Sequence, residues 1–356
     1  MEGSSPPGLA LIGHGKRLFQ RHPALFLGLL APMVEYLSGS TRLSWLVLNP
    51  LLFFAFLAQN LGSYGLAVLL IREAQVRWGK GWATVLLLGA AYGIVNEGIG
   101  AATLFNPNDS ATLGIVATYG HWVGVNWVWA TELVLIIHPV FSVSLPILLL
   151  GLALPETRGR TILSLPEVRW ALLGLAIDAA GTLVFVGEVR HFYAGPILWG
   201  GCVGVIALLA VAAYRVRPDL LRPTRAGPTV RPVTMFAFGV AFFVLLTFGG
   251  DALASNGILP LLVALFFVGI GALGLAWVVR HVGRGRNELV LVALCAALVA
   301  VLIPQGFFGQ LGTGLGLVPV VAGDLLVVLF LVHLGRKYRP ARSAGNPLPP
   351  APEGVP

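Results

Sequence analysis

The chain has 356 residues, 57% of them apolar and only 11% charged, with 45 glycines, 24 prolines and a formal charge of +8. A water-soluble domain carries about a quarter charged residues, so this composition excludes an ordinary soluble enzyme and specifies an all-α transmembrane protein, a polytopic helical bundle. The positive charge does not point to nucleic acid: 20 arginines and 3 lysines sit mostly in short segments between apolar blocks, where lipid headgroups compete for them.

Crossing a hydrocarbon layer of about 30 Å takes about 20 apolar helical residues. Ten blocks meet or approach that length: 24–39, 46–71, 82–104, 122–150, 168–187, 194–214, 233–250, 258–279, 288–308 and 316–335. The first and seventh are short and draw on flanking residues. The run from Trp122 to Leu154 would extend about 50 Å as a straight helix. A single span bent at Pro139 is therefore expected there, because proline removes a hydrogen bond to the preceding turn.

Lys and Arg accumulate in cytoplasmic loops. With the N-terminus inside, 21 of the 23 basic residues fall in inside segments and only Arg42 and Arg190 fall outside. Ten spans with both termini cytoplasmic, in the cell membrane with the lipid bilayer as partner, follow from that alternation. Residues 1–23 read as a mobile basic N-terminal segment and 24–214 as a transmembrane half of six spans. An Arg/Pro-rich cytoplasmic connector follows at 215–232, then an apolar half of four spans at 233–338 and a disordered Pro-rich tail at 339–356.

The polar residues concentrate early. Spans one to five carry Glu35, Asn60, Asn96, Glu97, Asn126, Glu132, His138 and Asp178, while the later spans hold little beyond Gln305 and Asp324. A carboxylate at mid-bilayer costs about 2.5–3.5 kcal/mol on insertion scales, so these acids face the bundle interior and need protons, hydrogen bonds, an imidazolium or a cation. Gly89, Gly93, Glu97 and Gly100 share one helical stripe, and small residues at spacing four admit a neighbouring helix. His121 and Glu132, eleven residues apart, share a face if span four is helical from its start. The candidate binding residues are Glu35, Asn96, Glu97, His121, Asn126, Glu132, His138 and Asp178. The loop Phe105-Asn106-Pro107-Asn108-Asp109-Ser110 is placed to cap them.

No Walker phosphate loop and no HExxH zinc helix occurs, and Gly312-Thr313-Gly314-Leu315-Gly316 follows no strand. Cys202 and Cys295 lie singly in apolar blocks, which suggests neither a disulfide framework nor a zinc site. The sequence reads no metal set and leaves any cofactor unnamed. The membrane-embedded CAAX-type prenyl proteases pair two glutamates with a later arginine on one helix and place histidines on following helices. Here Asn96-Glu97-Gly98-Ile99-Gly100-Ala101 lacks one glutamate and the arginine, and Asn126 follows His121 by five residues rather than four. Membership of that family is not assigned. The comparison shows only that a Glu/His/Asn set on adjacent helices can build an intramembrane hydrolase.

Three functional classes remain. The leading expectation is a transporter or permease for a cation, a proton-coupled solute or an amine-bearing small solute, using carboxylates in the outer half of the membrane. An intramembrane hydrolase would use Glu97 or Glu132 as general base with a histidine partner. A scaffold or assembly factor would use the same groups only to join helices.

Overall fold

The computed structural model describes residues 18–109, 114–223, 230–283 and 288–339. The expected mobile segment 1–23, the connector 215–232 and the tail 339–356 lie wholly or partly outside them, as does Ser110 of the expected cap. Among the described residues, nine helices are long and apolar enough to cross a membrane: α2 (Pro50–Arg77), α3 (Trp82–Gly100), α4 (Trp127–Ala153), α5 (Leu165–Arg190), α6 (Pro196–Arg215), α7 (Pro232–Ser255), α8 (Pro260–Val282), α9 (Glu288–Gly309) and α10 (Gly314–Lys337). They are preceded by a shorter apolar helix, α1 (Pro23–Ser38). The molecule is an all-α polytopic membrane bundle.

The helix starts follow local chemistry. Pro23, Pro50, Pro196, Pro232 and Pro260 open α1, α2, α6, α7 and α8, at a position where the missing N–H has no intrahelical acceptor to lose. Asn49 Oδ1 also accepts the Leu52 N–H at 3.1 Å. Ser164 and Glu167 form a reciprocal capping box at the start of α5. Ala31 and Pro32 interrupt α1, leaving helical pieces at Pro23–Leu30 and Met33–Ser38.

Burial identifies the centre. The most apolar stretch of α4 is 72% buried and that of α3 is 61%, against 11% for α5 and for α6. The central helix is α4: Phe141 and Leu145 pack toward α7 and α9, Val143 and Ile147 toward α1 and α2, and Leu133 and Val134 toward α3 and α6. A helix that is apolar on every side belongs inside other helices. Phe141 meets Phe243 of α7 with ring centroids 4.2 Å apart. Gly306 of α9 lies against the Leu37 carbonyl of α1, where any Cβ would come within 2.4 Å of that oxygen.

Two expectations need correction. Span four was expected over 122–150, but the helix begins at Trp127. Residues before it form a two-stranded antiparallel hairpin, β1 (His121–Trp122) and β2 (Val125–Asn126), in which His121 pairs with Asn126. Val123 and Gly124 turn it with φ of 52° and 75°, and two consecutive positive φ values suit a tight hairpin turn. His121 therefore shares no helix face with Glu132. Second, span two was expected over 46–71, but α2 runs on to Arg77. Helix α2 continues through a buried Arg72, whose Nη1 lies 2.6 Å from Glu73 Oε1, while Arg77 Nε lies 3.1 Å from Glu73 Oε2. Glu73 also accepts the Ile162 N–H at 2.8 Å, and Arg72 donates to the Thr157 carbonyl, so this cluster anchors the loop between α4 and α5.

Candidate functional site

Three spans depart from α-helical geometry at related positions. π-Helical segments occur at Leu61–Gly65 in α2, Val95–Gly100 in α3 and Leu133–Ser144 in α4. Such wide turns are rare and recur at functional sites. In α4 the wide turn takes in Pro139, whose missing N–H already breaks the α-helical ladder. The three segments carry Tyr64, Asn96 with Glu97, and His138, and these side chains meet.

Glu97 is the hub. Its Oε1 lies 3.2 Å from His138 Nε2 and accepts from Asn96 Nδ2 at 2.9 Å, while its Oε2 accepts from Thr103 Oγ1 at 2.5 Å. Asn96 Nδ2 also reaches the Tyr64 hydroxyl at 3.1 Å. Tyr64 lies nearly parallel to the His138 ring, at 18° and 6.3 Å between centroids, and Tyr92 meets it edge-on at 5.5 Å. The carboxylate of Glu35, from the broken α1, faces the Tyr64 hydroxyl and Ser40 and lies within electrostatic range of Glu97 and His138.

Glycine makes the approach between α3 and α4. A Cβ on Gly93 would sit 3.1 Å from His138 Cδ2, and one on Gly89 would sit 2.8 Å from Pro139 Cα. The stripe read from the sequence thus faces α4 through Gly89 and Gly93, and α5 through Gly100, which abuts Thr182.

The His138 ring is buried with its two nitrogens in different surroundings. Its side chain is 3% exposed and Nδ1 has no hydrogen-bond partner. With Nε2–H donating to Glu97, Nδ1 is a bare acceptor; an imidazolium would bury an unsatisfied N–H as well.

A cap closes the cluster at the end of the bundle opposite the arginine-rich loops. The chain leaves α3 through Ala102, in the left-handed region at φ 55°, and Thr103 turns back to Glu97. Asn126, fully buried, donates from Nδ2 to the Thr103 and Asn106 carbonyls, both at 2.9 Å, while His121 Nδ1 lies 2.6 Å from its Oδ1. Asp109 accepts from Asn106 at 3.1 Å and from Arg190 of α5 at 2.8 Å. Burial raises the Asp109 carboxyl above its ordinary range, and the nearby Arg190 opposes that rise.

The structure thus gathers four of the eight sequence candidates, Glu35, Asn96, Glu97 and His138, into one cluster. His121 and Asn126 build the cap over it. Asp178 lies behind it, across a space of about 10 Å³ bordered by Ser63, Tyr92 and Asn96, at the lower limit for one water. Glu132 is not part of the cluster. It is buried on α4 with Oε2 unpartnered and interacts electrostatically with Asp251 of α7, a residue absent from the sequence candidates. Sequence reasoning also passed over Tyr64, Tyr92 and Thr103. Tyr92 stands beside the glycine stripe, but nothing in the sequence distinguishes Tyr64 or Thr103 from packing residues. No group of three or more His, Cys, Asp or Glu among the described residues is arranged to hold a metal ion.

Fold and site together define a polytopic helical membrane protein with a buried, capped carboxylate–imidazole cluster. Residues 25–334 match the model of an uncharacterized membrane protein family, and the chain belongs to that family. Neither the curated proteins nor the solved structures contain a match.

Proposed function

We propose that the protein is a proton-coupled carrier of a small cation or amine-bearing solute. In this reading Glu97 and His138 form the proton-accepting pair and Glu35 supplies a second carboxylate for the solute. The observation that carries it is the Glu97–His138 pair at the junction of three π-helical segments. Irregular backbone at membrane depth is tolerated where it is buried in protein, and carriers use broken helices at their binding sites. Placing the arginine-rich end in the cytoplasm of a cell-membrane protein, as the loop charges favour, puts the cluster in the outer half under an external cap.

The test uses purified protein in proteoliposomes containing a pH-sensitive dye, with imposed gradients of Na⁺, K⁺ or choline. At least one gradient is expected to drive proton movement in the wild type, and Glu97→Gln is expected to abolish it. Absence of coupled proton movement with all three probes, or full retention in Glu97→Gln, overturns this reading.

A second reading, an intramembrane hydrolase, is favoured by the same short Glu97–His138 contact, since a carboxylate hydrogen-bonded to imidazole is a general-base arrangement. It requires turnover of a quenched-fluorescent peptide that is lost in both Glu97→Gln and His138→Ala and is independent of any ion gradient.

A further inference from the structure

A second feature, distinct from the carboxylate cluster, lies between the two halves of the bundle: a cavity of about 760 Å³. Its walls are overwhelmingly apolar, including Leu86 of α3, Phe242 of α7, Val268 of α8 and Leu294 of α9. Pockets of roughly 300–1,000 Å³ hold molecules rather than scattered waters.

The cavity has direction. Arg72, Gln75, Thr157 and Arg158 gather at one end, with Ser144 the deeper polar group, and Pro139 and Phe267 lie toward the other. From Phe267 to Val282 along α8 the rise is about 22 Å. Half of a bilayer with its headgroups is about 20–22 Å. The cavity thus has the depth of one leaflet rather than that of a path across the membrane. Leu135 and Val268 on its wall are half-exposed, apolar surface of the kind acyl chains cover.

Charge at the rim selects the headgroup. Glu73 is buried and occupied by Arg72, Arg77 and the Ile162 N–H. Arg158 uses Nε on the Gly151 carbonyl at 2.8 Å and Nη1 on Glu288 at 3.2 Å, yet its side chain stays 45% exposed. The rim therefore presents a partly exposed guanidinium, ion-paired with Glu288, at the arginine-rich end of an apolar slot.

We propose that this cavity is a binding site for an anionic glycerophospholipid taken from the leaflet at the arginine-rich end, with an acyl chain in the slot and the phosphate at Arg158.

The experiment uses the full chain in nanodiscs doped with phosphatidylglycerol or phosphatidylcholine carrying a diazirine in the acyl chain, with adducts mapped by mass spectrometry. Phosphatidylglycerol is expected to label Phe242, Val268 and Leu294 well above the exposed outer positions Leu172, Ile197 and Leu326. Ala272→Trp, at a cavity-lining and exposed position of α8, is expected to remove the cavity adducts and leave those at the outer positions. One basic residue near a membrane surface changes anionic-lipid binding by about fivefold, so Arg158→Gln is expected to erase a preference for phosphatidylglycerol of about that size. Uniform labelling over cavity and outer positions, equal cavity labelling by phosphatidylcholine, or unchanged cavity adducts in Ala272→Trp overturns the proposal.

Discussion

His138 holds Nε2 beside Glu97 while Nδ1 has no protein partner, so a replacement that keeps one donor and removes the imidazole tests the proposed proton pair. His138→Gln retains a donor for Glu97 but has no site for a second proton. It is expected to lose less thermal stability than His138→Ala, which leaves the Glu97 carboxylate short of a donor, while abolishing proton movement in the liposome assay. Equal loss of stability and activity would return the residue to a structural role. Gly93→Val tests the same contact from α3. A branched side chain there meets the His138 ring, already 3.1 Å from an added Cβ, so overpacking is expected to cost about 1–3 kcal/mol by denaturant titration. Asn126 serves the cap. Asn126→Ala leaves the Thr103 and Asn106 carbonyls without their donor, at a cost of about 2 kcal/mol or more. The expected signature is faster amide exchange over residues 103–106, with α5 and α6 unaffected.

At the scale of elements, Pro139 is the informative position. Pro139→Ala restores an N–H to the wide turn of α4 and allows α-helical hydrogen bonding. Such tightening would turn His138 away from Glu97, so the variant is expected to be at least as stable as wild type and inactive in proton movement. Activity equal to wild type would show that the wide turn does not depend on the proline. The ten apolar segments were legible in the sequence because lipid imposes a length and a composition on every span, and the arginines punctuate them. The glycine stripe was legible because only small residues let α4 come so close. The π-helical segments were not, since a wide turn has the same composition as a regular one and arises from packing. The hairpin at 121–126 was hidden inside an apolar run; Gly120 and Gly124, both at positive φ, were its trace. The proximity of Glu132 to Asp251 was equally invisible, because it depends on where α7 places Asp251.

For the molecule as a whole, the cap couples the cluster to α5 through Asp109 and Arg190. A carboxyl whose folded-state value is raised binds its proton more tightly in the folded protein. It contributes stability fully below the unfolded value of about 3.9 and loses that contribution as pH rises through the raised value. The cap is therefore tightest in acid. Arg190→Gln removes the attraction that limits the rise, so it is expected to steepen this dependence. After correction for intrinsic rates, exchange over residues 101–109 should speed up as pH rises above about 3.9 more in Arg190→Gln than in wild type. An identical pH response in the two proteins would remove Asp109 as its source.

The three wide turns have a further consequence for inheritance. Each residue of an α-helix advances the chain by about 100°, so one codon gained or lost within 61–65, 95–100 or 133–144 would swing everything beyond it to a different side of its span. Members of this family should accordingly tolerate length drift in their loops and none in these stretches, and an alignment showing gaps there would mean that the cluster is not a shared inheritance.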